Sequence, residues 1–160
     1  MRVSLGGNIT VIAQDQWYAQ IRAGKAFRFG ADLAASVGNY SLAELWNPAA
    51  SGVTVLAHSV RASNTAGGRV ESSLHNAALG TDLGAGRNML FGGAASVALL
   101  RTAQPAAWVG TVIDYLAALN PGWQDWANNW ACQIPSGFGL IIGSYAVNQG
   151  MNVSFDWIEV

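Results

Sequence analysis

The pattern that most constrains this chain is an alternation of apolar and polar residues with period two, repeated along its length. Phe27, Phe29, Ala31 and Leu33 alternate with Arg28, Gly30 and Asp32, and Met151, Val153, Phe155 and Trp157 alternate with Asn152, Ser154 and Asp156. Successive side chains of an extended chain point to opposite sides, so each segment predicts a strand with one face toward a core and one toward solvent. Val53 to Ala62 predicts another strand, after the corner Asn47-Pro48-Ala49-Ala50-Ser51-Gly52.

Further strands are predicted at Ile9 to Ala13, Trp17 to Arg22, Ser41 to Trp46, Arg69 to Leu74, Ser96 to Thr102, Trp108 to Tyr115, Trp130 to Ile134 and Leu140 to Val147. Their spacing of about ten residues is the rhythm of a sandwich or barrel. Val109 to Leu119 also fits helical spacing, but its Val, Thr, Ile and Tyr residues favour a strand, which is the reading kept. The rhythm lapses between Asn76 and Ala95, which reads as one long glycine-rich loop, either a surface excursion or an arm that reaches a neighbour. The expected fold is one all-β domain over residues 1–160, an antiparallel sandwich with that loop, and residues 1–14 form a candidate N-terminal arm able to add a strand to a neighbour's sheet edge.

Composition narrows the function. Hydrophobic residues make up 51% of the 160, ample for a core, whereas charged residues are only 11%, against roughly 25% in an average soluble domain. Lys25 is the sole lysine. An exterior so poor in charge suggests a surface that faces partners, although a merely neutral β surface fits equally. Net charge is −1 and the arginines are scattered singly, which argues against nucleic acid as a partner. The longest apolar run, Gly137 to Val147, is too short to span a membrane as a helix, and Val11 to Ala13 is too short for a signal-peptide core. Cys132, the one cysteine, allows no internal disulfide and reads as an inert thiol suited to a reducing cytoplasm.

Chemistry-bearing motifs are absent. His58 and His75 lack zinc-ligand spacing, and His58 falls in a strand alternation where a core or cross-strand histidine is expected. There is no Gly-x-Ser-x-Gly, no Walker-type Gly-Lys-Ser/Thr, since Gly24-Lys25 is followed by Ala26, and no complete dinucleotide fingerprint. Asp156 and Glu159 are the nearest approach to a carboxylate pair, but on a strand they take opposite faces. No catalytic, metal or cofactor residue is therefore assigned. The candidate partner contacts are Leu83, Met89 and Phe91 in the glycine-rich loop and Trp123, Trp126 and Trp130, whose spacing would share one face of a short helical turn. Those tryptophans, beside Gln124, Asn128 and Asn129, have three readings: core, subunit interface or a platform that stacks on a glycan.

Two passages resemble a known group of proteins. Ile134-Pro135-Ser136-Gly137-Phe138-Gly139-Leu140-Ile141-Ile142-Gly143, followed by Val147-Asn148-Gln149-Gly150-Met151-Asn152-Val153-Ser154-Phe155-Asp156-Trp157-Ile158-Glu159, is similar to the ending of small tailed-bacteriophage structural proteins. Leu45-Trp46-Asn47-Pro48-Ala49-Ala50-Ser51-Gly52-Val53-Thr54-Val55 resembles their middle passage. The resemblance covers about a third of the chain. It implies a jelly-roll-like sandwich assembled in the host cytoplasm onto the virion, as a capsid decoration (cement) protein or a tail- or fibre-associated one. Major capsid or other virion proteins and further copies of the chain, a trimer by analogy with capsid symmetry, are the implied partners. A carbohydrate- or receptor-binding tail module is the alternative.

Overall fold

A computed structural model describes residues 16–66, 68–118, 123–126 and 132–160. Within them run a short helix, α1 (residues 16–22), and twelve strands: β1 (Ala26–Leu33), β2 (Leu42–Asn47), β3 (Val55–Asn64), β4 (Gly68–His75), β5 (Thr81–Ala85), β6 (Arg87–Asn88), β7 (Leu99–Ala103), β8 (Thr111–Ala118), β9 (Trp123–Trp126), β10 (Cys132–Ile134), β11 (Phe138–Ser144) and β12 (Met151–Glu159). Two six-stranded antiparallel sheets result. Sheet A has the order β10-β3-β12-β1-β6, with β9 also paired to β3, and sheet B the order β5-β7-β2-β11-β4-β8.

The alternation read from the sequence sets the packing. Phe27 and Leu33 of β1 join Val153, Phe155 and Trp157 of β12 and Val60 of β3 on the inner face of sheet A, against Leu45, Leu100, Leu140 and Ile142 of sheet B. Phe155 and Trp157 are fully buried. Each such side chain contributes roughly 1.5–3 kcal/mol on leaving water. Phe155 and Trp157 share the inner face and Asp156 takes the outer one, while a bulge at His58 of β3 lets Ala57 and Val60, three residues apart, both turn inward beneath them. On the outer face the Asp156 carboxylate takes a bidentate pair from Arg28, with Arg61 Nη2 at 3.8 Å. Glu159 lies on the other face, accepting from the Val97 and Ala98 amides, so the two acids do stand apart.

Sheet B buries part of its outer face as well. Leu42 and Ile141 lie under Leu79, Tyr40 and Trp108, the last two rings meeting edge to face with centroids 5.7 Å apart. Gly143 makes room for this layer, since a Cβ there would stand 2.6 Å from the Trp108 ring.

Three expectations are corrected. Trp17 to Arg22, read as a strand, is helical in α1. The helix stops because Gly24, at φ +69°, lets Lys25 N donate to Gln20 O (3.0 Å) and its own N donate to Ile21 O (3.0 Å), a Schellman closure that a side chain would strain. The glycine-rich stretch is not one loop, because it supplies β5 to the edge of sheet B and β6 to the edge of sheet A. The chain crosses between the sheets at Gly86, where a Cβ would stand 2.1 Å from Trp157 Cζ2, so only a bare backbone passes over that ring. The segment around Trp123 and Trp126 is a strand, β9, rather than a helical turn. Val109 to Leu119, where helix and strand competed, does contain a strand, β8.

Candidate docking groove

Among the described residues, one flank of the sandwich is not closed. The Glu159 amide donates to Lys25 O, and the Met89 amide donates to Ala26 O from the other side. The even-numbered residues of β1 therefore turn their backbone groups away from β12. β6 pairs only Phe27 and Arg28, so Gly30 and Asp32 have no strand beside them among the described residues. Across the gap lies β5, joined to β7 along one side only.

Two depressions follow one another along these edges. The first, of about 480 Å³, is lined by Phe29, Leu83, Ala85, Arg87, Leu90 and Phe91 together with glycines of the β6 turn. The second, of about 430 Å³, is bounded by Asp32, Leu33, Ala34, Thr81, Thr102 and Gln104. Leu83 reaches the groove because β5 has a register shift between Asp82 and Gly84, with Gly84 at φ +107° and its amide held by Asp82 Oδ1 at 2.7 Å. Leu83 is 42% exposed and Phe91 entirely so. Asn88 Nδ2 holds the turn to Gly24 O (2.8 Å) and Ala94 O (2.9 Å), so the apolar tip is presented on a braced frame.

The residues singled out by sequence divide clearly. Leu83 and Phe91 meet in the groove, whereas Met89 is half-buried and its amide joins β6 to β1. Trp123 and Trp126 lie in β9, on the opposite edge of sheet A. Trp130 lies outside the described residues, as does the predicted strand Ile9 to Ala13. Sequence reasoning missed Phe29 and Leu90. Phe29 carries the signal of a core residue, and it lies at an opening because no strand among the described residues continues beyond Arg28.

A polar cluster outside the groove was also missed. Glu44 of β2 is wholly buried, with Leu79 N donating to Oε2 at 2.7 Å and His75 Nδ1 3.5 Å from Oε1. Burial pushes its carboxyl up to about 7, against the opposing effects of the Leu79 amide and the Arg101 charge. His58, on the outer face of sheet A, stacks on Trp17 with ring centroids 4.1 Å apart. Burial holds it below the usual imidazole value, while the Asp156 charge acts in the opposite sense. Cys132 is half-buried, and its thiol is pushed up by burial, which favours the unreactive protonated form. Among the described residues no three of His, Cys, Asp and Glu gather as a metal site, and no helix is long and apolar enough to cross a membrane.

What the groove offers is apolar surface and unpaired strand edge, a chemistry of recognition. No protein-family model matches this chain, and no curated protein or solved structure matches it either.

Proposed function

We propose that this chain is a non-enzymatic structural subunit of a bacteriophage virion, a capsid decoration protein that stabilises the shell by docking across subunit boundaries. The single observation that carries the reading is the braced apolar tip, Leu83 and Phe91, beside an open sheet flank. A fully exposed phenylalanine next to a sheet edge that has no strand beside it among the described residues invites a partner in a chain poor in charge. The resemblance of its C-terminal and middle passages to tailed-phage structural proteins supplies the kind of assembly, and with it a jelly-roll-like reading of the two sheets. Cementing needs no reactive group. An interface of about 1,600 Å² centred on preorganised aromatics, repeated by symmetry, supplies the affinity.

The test is co-sedimentation with purified phage heads that lack the protein. The wild-type chain is expected to pellet with the heads, and Leu83→Asp with Phe91→Asp to stay in the supernatant while melting like the wild type. Failure of the wild-type chain to bind any head, tail or fibre preparation would end this reading.

A further inference from the structure

We infer that the open flank is filled by residues 1–13 of a second copy of this chain, which add to β1 as an extra strand. The inference rests on the assembly reading above and names one partner within it. Gly30 and Asp32 offer backbone N–H and C=O groups outward along β1, the arrangement to which an extended segment adds. The groove beside them asks for apolar side chains at alternate positions, since Phe29, Leu83, Leu90 and Phe91 line it.

Residues 1–13 match that request. Val3, Leu5, Ile9 and Val11 alternate with Gly7 between them, there is no proline, and Arg2 is the only charged side chain. Its sign is opposite to that of Asp32 in the groove wall. Five added residues span roughly 17 Å, so the segment is long enough for the flank with residues left over to leave its own subunit.

A second copy is favoured over the chain's own arm by where α1 starts. Trp17 stacks on His58 of β3, and β12 lies between β3 and β1. α1 then runs from there to Gly24 and the start of β1. Gln16, where α1 starts, thus stands on the β3 side of sheet A, with α1 and β12 between it and the flank of its own subunit. A neighbour's arm meets no such obstacle.

The experiment compares the full chain with one lacking residues 1–13 by sedimentation velocity, and titrates the truncated chain with a labelled peptide of residues 1–13. The full chain is expected to self-associate, the truncated chain to be monomeric, and the peptide to bind the truncated chain. Asp32→Pro, which removes an outward N–H, should weaken the peptide at least tenfold, and Leu83→Asp provides the same readout from the opposite wall should the proline variant fail to fold. Self-association that survives truncation, a peptide that does not bind, or a full chain that stays monomeric would each overturn the inference. A truncated chain that still coats phage heads but ignores the peptide would sink the arm and leave the assembly reading standing.

Discussion

Glu44 Oε1 and His75 Nδ1 face each other 3.5 Å apart in the buried outer layer of sheet B, and neither atom has a hydrogen-bond partner. Burial raises the Glu44 carboxyl to about 7, and in its protonated form that carboxyl is a donor in this otherwise donor-poor space. The space around the carboxyl is closed. A Cβ on Gly139 would stand 2.7 Å from Glu44 Cδ, and Arg101, whose guanidinium is engaged by Leu79 O and Asp82, is the cation that faces it.

Stability should therefore depend on pH through Glu44. Its carboxyl titrates near 7 in the folded chain against 4.5 when unperturbed, so the folded state holds more protons between those values. The contribution is fully present below about 4.5 and is lost as pH rises through 7, in total about 3 kcal/mol. Glu44→Gln keeps an acceptor for Leu79 N and supplies a permanent donor toward His75. Urea midpoints measured from pH 5 to 8 should fall for the wild type relative to this variant, and parallel curves for the two would refute the assignment.

Gly86 predicts a steric coupling across the sandwich. Its missing Cβ is what allows the crossover strand to lie on Trp157, and Ser96 N donates to Gly86 O at 3.1 Å to hold it there. Gly86→Ala should cost about 1–3 kcal/mol by overpacking. In a Trp157→Phe background, which removes the Cζ2 and Cη2 atoms that Ala would meet, the same change should cost distinctly less. A double-mutant cycle with additive costs would show that the contact is relieved elsewhere.

The same residues show how much was legible in the sequence. Phe27 to Leu33 and Met151 to Trp157 announce their strands because one face is buried and period two survives on both. Trp17 to Arg22 misled because its apolar residues are too few to reveal a helical period, although Gly24 just beyond it is the stop signal that sequence offers. The glycine-rich stretch hid β5 and β6 because edge strands bury little, so their side chains carry no periodic mark. Leu83 and Phe91 were found as apolar residues among glycines, but the groove they form depends on where β1 loses its neighbour, which is a fact of pairing and not of composition. Glu44 was invisible for a related reason: an acid on a strand reads as solvent-facing until another layer covers it.

Arg28 and Asp156 predict an asymmetry. The carboxylate is buried, whereas the guanidinium is half exposed. Asp156→Ala leaves an arginine that can turn to water, at a cost of about 1–2 kcal/mol for the lost charge-assisted pair. Arg28→Ala leaves a buried carboxylate with Arg61 only at 3.8 Å, and should cost more, about 2–4 kcal/mol. Chemical denaturation of the two single variants checks the order, and equal costs would mean that water or Arg61 replaces Arg28 fully.

His58 supplies a pH dependence of the opposite sign. Burial under Trp17 holds its titration below the usual imidazole value of 6.5, with Asp156 opposing, so the unfolded chain takes up protons before the folded one does. Stability from this residue is present above about 6.5 and falls as pH drops through the lowered value, in the range where Glu44 is still gaining. The ring is stacked on Trp17 at an interplanar angle of 10°, so the cost of charging it falls at the point where α1 rests on sheet A. His58→Phe preserves an aromatic partner for Trp17 and removes the titration. Protease cleavage within α1 should accelerate between pH 7.5 and 5.5 in the wild type and stay level in this variant, and acceleration in both would place the acid-sensitive contact elsewhere.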